Sequence, residues 1–127
     1  MCCGIGEFAQ KTGLSVHTLR YYEQEGLLTP ARNQANRRVY TEQDLAWVAF
    51  IRRLKDTGMP LGEIRRFAQL RAQGDATTAP RLAMLIDHRA QLDRQIAQLI
   101  EHRQKLDEKI GFYRRELARE EAAEPAI

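Results

Sequence analysis

Within Ser15-Val16-His17-Thr18-Leu19-Arg20-Tyr21 the chain sets two hydroxyls, an imidazole, a guanidinium and a phenol close together. No nucleophile stands beside a base, no glycine-rich phosphate loop is present, and no acidic pair is set for acid–base work, so these groups do not spell catalysis. They donate and accept hydrogen bonds and carry positive charge, which suits base edges and a phosphate backbone. Ser15 is of the type that caps a helix by accepting an orphan N–H. Leu19 and Tyr22 fall one turn apart and can turn inward, leaving His17, Thr18, Arg20 and Tyr21 on the free face. Gly13-Leu14 supplies a tight link to a preceding helix over residues 5–11, where Ile5, Phe8 and Ala9 recur at helical spacing. The pair predicts a helix-turn-helix whose second helix enters a groove.

The following elements must hold that helix in place. Leu27-Leu28-Thr29-Pro30 returns to the core and stops the helix. Residues 31–38 are polar and basic (Arg32, Arg37, Arg38) and lead into Val39-Tyr40, which predicts a two-stranded wing with Asn36 in a left-handed turn. Such a hairpin is a phosphate clamp or a solvated basic loop. Thr41 and Asp44 predict a capped third helix, with Leu45, Trp47, Val48, Phe50, Ile51 and Leu54 on its apolar side and Arg52, Arg53 and Lys55 on the other side. A fourth helix starts near Pro60 and carries to Gly74. Residues 75–78 are expected to be a linker.

Residues 79–118 show the most regular pattern. Leu85, Leu92, Leu99, Leu106 and Tyr113 are seven apart, and Leu82, Arg89, Ile96, Arg103, Ile110 and Leu117 form a companion series. Together they make the heptad stripe of a coiled coil. Nothing else in the chain can cover it, so a homodimer is expected, with Leu85, Leu92, Ile96, Leu99, Leu106 and Ile110 at the seam. Arg89 and Arg103 interrupt the stripe, and their stems can lie along the seam while their charges reach Asp or Glu across it. Residues 119–127 form an acidic tail. The fold class expected is therefore mainly α: a winged helix-turn-helix over residues 1–74, then a long dimerising helix.

Charge is placed to match. Residues 1–74 hold 11 Lys and Arg against 7 Asp and Glu, whereas residues 75–127 hold 9 against 10, so the positive field lies with the free helix face and the wing. No apolar run reaches membrane-spanning length and no signal peptide is apparent, which points to the cytoplasm and away from a membrane. Cys2 and Cys3 are adjacent and without further cysteines, which makes them a terminal thiol pair or a vicinal-thiol sensor rather than a metal centre. His88 and His102 share one helix face, either as solvated flank positions or as a metal or pH site shared with a dimer mate. No cofactor and no metal site is expected.

The motifs Ile5-Gly6-Glu7-Phe8-Ala9, Gly13-Leu14-Ser15, Thr18-Leu19-Arg20-Tyr21-Tyr22-Glu23, Gly26-Leu27-Leu28, Arg38-Val39-Tyr40, Asp44-Leu45 and Gly58-Met59-Pro60 resemble the MerR family of bacterial transcriptional regulators. The resemblance covers residues 5 to 70 and implies a dimer held by an antiparallel coiled coil. It further implies a double-stranded promoter operator of pseudo-palindromic sequence, distortion of that DNA, and RNA polymerase as a partner at the bacterial nucleoid. Carried over by position, Ser15, Val16, His17 and Thr18 face base edges, Arg20 and Tyr21 touch backbone or bases, and Arg38 and Tyr40 supply the wing's contacts. Asn36 and Arg37 stand where family wings often have Gly and an aromatic, which adds charge. The stretch from Trp47 to Pro60 is most similar to an aldehyde- and electrophile-stress subgroup. Arg53 aligns with that subgroup's sensor cysteine, so a thiol switch there is excluded, while a small effector of another kind stays open. Rival readings are an effector-independent repressor or DNA organiser, and a coiled-coil module whose helix-turn-helix docks a protein.

Overall fold

The computed structural model describes residues 3–123, and short-range signals account for most of its elements. The chain forms α1 (Ile5–Thr12), α2 (Val16–Gln24), β1 (Ala31–Arg32), β2 (Arg38–Val39), α3 (Glu42–Asp56), α4 (Leu61–Ala72), a single 3₁₀ turn (Asp75–Thr77) and α5 (Thr78–Ala123). β1 and β2 pair antiparallel, Ala31 against Val39 and Arg32 against Arg38. Two units divide the chain, one up to His88 and one from Arg89 onward.

In the first unit each helix end has a chemical cause. Gly13 closes α1 in the left-handed region at φ 73°, where a Cβ would be strained. Thr41 and Asp44 form a reciprocal capping box at the start of α3, which satisfies two N–H groups that would otherwise be orphaned. Pro60 directly precedes α4 as its cap. Phe8, Leu19, Tyr22, Val48, Ile51 and Ile64 are buried together. Trp47 donates its indole N–H to the carbonyl of Leu27 at 2.7 Å and stacks on Phe67, with the Arg71 guanidinium 4.6 Å from its ring.

Four expectations need correction. The stretch 75–78 is no linker: Thr77 is buried, its hydroxyl lies against the carbonyls of Leu70 and Gly74, and α5 has begun by Thr78. The division falls after His88 instead, because Met84 and Leu85 pack on the first unit's core. Nor does the long helix stop at 118; it continues to Ala123, and only 124–127 of the expected tail lie outside the described residues. His88 is not a solvated flank position. It is buried, with Nε2 2.7 Å from the Thr57 hydroxyl. That hydroxyl donates to the carbonyl of Arg53, so His88 Nε2–H donates to Thr57, and Nδ1 has no partner among the described residues. His102 is exposed, and the described residues contain no cluster of His, Cys, Asp or Glu fit to hold a metal.

Cys3 also departs from the picture of a loose terminal thiol. Its backbone pairs with Tyr40 in both directions at 2.8 Å, and its side chain is buried. Cys2 lies outside the described residues. In the second unit, the α5 positions Ile96, Leu99, Leu106 and Ile110 are exposed and Leu92 is half-buried. No helix among the described residues is long and apolar enough to cross a membrane.

Candidate nucleic-acid interface

Ser15 starts the recognition helix. Its hydroxyl accepts the N–H of Thr18 at 3.0 Å and donates to the Thr18 hydroxyl at 2.9 Å. Ser15 is thereby fixed as a cap, while the Thr18 hydroxyl keeps its own proton free to donate. Leu19 and Tyr22 are buried, which orients the rest of α2. His17, Arg20 and Tyr21 are exposed on the opposite side, with Val16 and Thr18 half-exposed at its N-terminal end. Five of the expected base- and backbone-facing residues therefore share one accessible face.

The wing is built around its turn. Asn36 adopts φ 59°, a conformation Asn tolerates better than most residues. The Asn33 side chain accepts the N–H of Arg37, and Arg32 donates to the carbonyl of Asn36 at 2.8 Å. Arg32 thus braces the turn, whereas Arg37 projects from it and is exposed. Arg38 is half-buried and its Nε lies 2.9 and 2.7 Å from the two carboxylate oxygens of Glu23 near the end of α2. This hydrogen bond and charge together raise the Arg38 pKa above its usual value. The pair ties wing to recognition helix and leaves the outer guanidinium nitrogens for another partner.

Tyr40 corrects the reading of its side chain as a DNA contact. It is fully buried, with its ring stacked on Phe8 at 4.4 Å, and its hydroxyl has no hydrogen-bond partner among the described residues. Burial, followed by the Glu23 charge, pushes the phenol's pKa up. The strand that begins with Arg38 facing α2 turns its next-but-one side chain into the core, as strand alternation on a one-sided hairpin requires.

Residues that sequence reasoning passed over complete the frame. Glu23 stood in the quoted motif without a partner. Arg65 of α4 donates from Nε to the carbonyl of Glu25 at 2.9 Å and pairs with the Glu25 carboxylate, so the C-terminal end of α2 is held from α4. Arg52, expected in a free basic cluster, donates to the carbonyl of Thr12 at 2.8 Å and supports the end of α1.

A short polar helix, seated on a core and bridged to a basic hairpin, defines a winged helix-turn-helix of the DNA-binding class. The chain matches the MerR HTH family of regulatory proteins over residues 3–70 and the MerR DNA-binding family over residues 45–109, and it belongs to the MerR family. An uncharacterised HTH-type transcriptional regulator of Haemophilus influenzae is 38% identical over 111 residues, 87% of this chain and 82% of that protein. Among solved structures, HiNmlR, a MerR family regulator lacking the sensor domain and bound to promoter DNA, is similar with a TM-score of 0.78 and 36% identity, over 93% of this chain and 94% of that one. A MerR family transcriptional regulator from Bacillus thuringiensis has a TM-score of 0.74 and 31% identity, over 89% of this chain and 100% of that one. The protein is a DNA-binding transcriptional regulator of this family, not an enzyme.

Proposed function

We propose that this regulator binds a pseudo-palindromic promoter operator as a homodimer and controls transcription by distorting the DNA, with RNA polymerase as the eventual partner in the bacterial cytoplasm. The observation that carries this reading is the Arg38–Glu23 bridge. It couples the exposed face of α2 to the wing, so the two can engage adjacent stretches of one duplex as a unit. The likeness to HiNmlR, whose structure holds promoter DNA and lacks a sensor domain, supports the same use of these residues. Two such units on a dyad would grip two half-sites, and bending or untwisting the segment between them costs on the order of a few kcal/mol, which a dimer's phosphate contacts can offset.

Capture of bound genomic DNA followed by footprinting tests the proposal. A dyad-symmetric site between widely spaced promoter elements, with enhanced cleavage at its centre, is the expected result. A site overlapping the transcription start, undistorted, would instead mean simple repression. No enrichment would overturn the DNA assignment in favour of a protein-docking role.

A further inference from the structure

A cleft of about 380 Å³ lies between α3, the second half of α4 and the start of α5, within the first unit. Its apolar lining is aromatic. The ring centroids of Trp47, Phe50 and Phe67 lie within 6.3 Å of one another, and Phe50, only half-buried, keeps part of its ring accessible. Its charged lining is Arg71 and Arg81, with Gln43 the remaining polar side chain, and no Asp or Glu among the described residues lines it.

Both guanidiniums lack an anion. Arg71 sits over the Trp47 ring, 4.6 Å from its centroid, and Arg81 donates to the Thr77 hydroxyl at 3.1 Å and the Gly74 carbonyl at 3.2 Å, both neutral. Neither forms an ion pair among the described residues, whereas Arg38 and Arg65 of the same unit each hold a carboxylate. A ligand carboxylate would match a guanidinium fork and relieve the repulsion between the two cations. An inorganic anion would leave the aromatic lining in water, and a neutral apolar molecule would leave the charges uncompensated. A carboxylate carrying an aromatic body answers both demands.

The cleft is also connected to the recognition helix. The Trp47 indole donates to the carbonyl of Leu27, and the Leu27 N–H donates to the carbonyl of Tyr22 in α2 at 2.9 Å. Trp47 and Arg71 further line a second cavity together with Gly26 and Leu27. Drawing Arg71 from the indole onto a ligand would therefore change the packing around the residue that supports the end of α2.

We propose that this cleft is an effector site for a small arylalkyl carboxylate, held at its charged end by Arg71 and Arg81 and along its body by Phe50 and Phe67. Occupancy alters DNA binding through Trp47 and Leu27. The binding site stands on the cleft alone, and the coupling rests on the operator-binding reading.

Trp47 is the single tryptophan of the chain, so its emission reports on the site. Titration of the full-length chain with 4-phenylbutyrate should give a saturable change at micromolar to low millimolar concentration. The uncharged 4-phenylbutyramide should bind about tenfold more weakly. By calorimetry, R71Q and R81Q should each weaken 4-phenylbutyrate about tenfold, with circular dichroism to check that both stay folded. R81Q leaves the Trp47 stack in place and keeps the test open if R71Q unfolds. An unsaturable response, an amide that matches the acid, or an R81Q chain that binds as tightly as the natural one would overturn the site. Sodium phosphate binding as tightly as 4-phenylbutyrate would overturn its aromatic specificity. Saturating 4-phenylbutyrate should shift the affinity for a captured genomic fragment by about threefold or more in the natural chain and not in R81Q. Binding of the ligand without such a shift would overturn the coupling and leave the site standing. A chain that binds no genomic fragment would overturn the operator reading and the coupling with it, while the titration decides the site separately.

Discussion

Tyr40 shows how a single residue's chemistry and its surroundings can point in opposite directions. A phenol beside a wing arginine suggests a DNA contact, yet this one is buried against Phe8, its hydroxyl without a partner among the described residues. A buried hydroxyl without a partner is destabilising, while its ring contributes stacking and apolar burial. Tyr40→Phe is therefore expected to leave DNA affinity unchanged and to raise stability by about 1 kcal/mol in urea unfolding. Its pH dependence gives a second handle. The folded phenol's pKa is raised above the ordinary 10.0, so the folded state holds this proton more tightly than the unfolded chain. Stability then falls as pH rises above about 10, because the unfolded state is the first to release the proton. In Tyr40→Phe that alkaline loss should be shallower, by the same unfolding measurement repeated across pH. A steep loss of DNA binding in Tyr40→Phe near neutral pH would mean that the hydroxyl reaches the nucleic acid after all.

At the scale of elements, the bridge between Arg38 and Glu23 links the recognition helix to the wing. Glu23→Gln removes the carboxylate's charge while keeping every cation that could meet a phosphate. If the carboxylate merely offset positive charge, removing it would tighten binding. If it positions the wing, DNA affinity should fall by roughly 3- to 10-fold while thermal unfolding shifts little, an effect of about 1 kcal/mol on binding. Arg38→Ala should also weaken binding, and the double variant should lose less than the two single effects combined, because both break one link. These elements were unequally legible in the sequence. Signals acting within a few residues placed them well: the Ser15 cap, the Gly13 turn, the Thr41–Asp44 box and the left-handed Asn36 all depend on neighbours along the chain. Contacts made across the fold left no such trace. Glu23 and Arg38 are 15 residues apart, Arg65 and Glu25 are 40 apart, and a lone sequence does not say which carboxylate meets which guanidinium. Leu85 was ambiguous for another reason. The spacing of a coiled-coil seam and that of a helix packed on its own core differ too little over one turn to separate them, so the sequence pattern did not show that Met84 and Leu85, both half-buried, also pack against the first unit's core.

For the whole molecule, the proposed reading puts DNA recognition and dimerisation on separate parts of the chain, so the two should fail separately. On the proposed reading, Arg20 and Arg37, exposed on α2 and the wing, together with the outer nitrogens of Arg38, would supply phosphate contacts from each subunit. Release of counterions from two such sets predicts that the dissociation constant rises roughly a hundredfold or more between about 50 and about 200 mM salt. The apolar stripe of α5 acts differently. Leu99 is 67% exposed in the single chain, far more than an apolar side chain in a finished seam, so in the proposed dimer covering it and Leu92 would drive association. Leu92→Asp combined with Leu99→Asp places four carboxylates in one dimer seam and should yield monomers by sedimentation. Since the caps and core of the first unit lie elsewhere, its helices should persist in circular dichroism. Each monomer would keep its half-site contacts and lose the gain from joining two of them, which for linked sites amounts to about 10²–10⁴ in affinity. Titration of a full dyad and of a single half-site distinguishes the two contributions: the natural chain should favour the dyad strongly, and the double variant should bind both alike while keeping a salt dependence about half as steep. A double variant that still prefers the dyad would show that the two subunits meet through some surface other than this stripe.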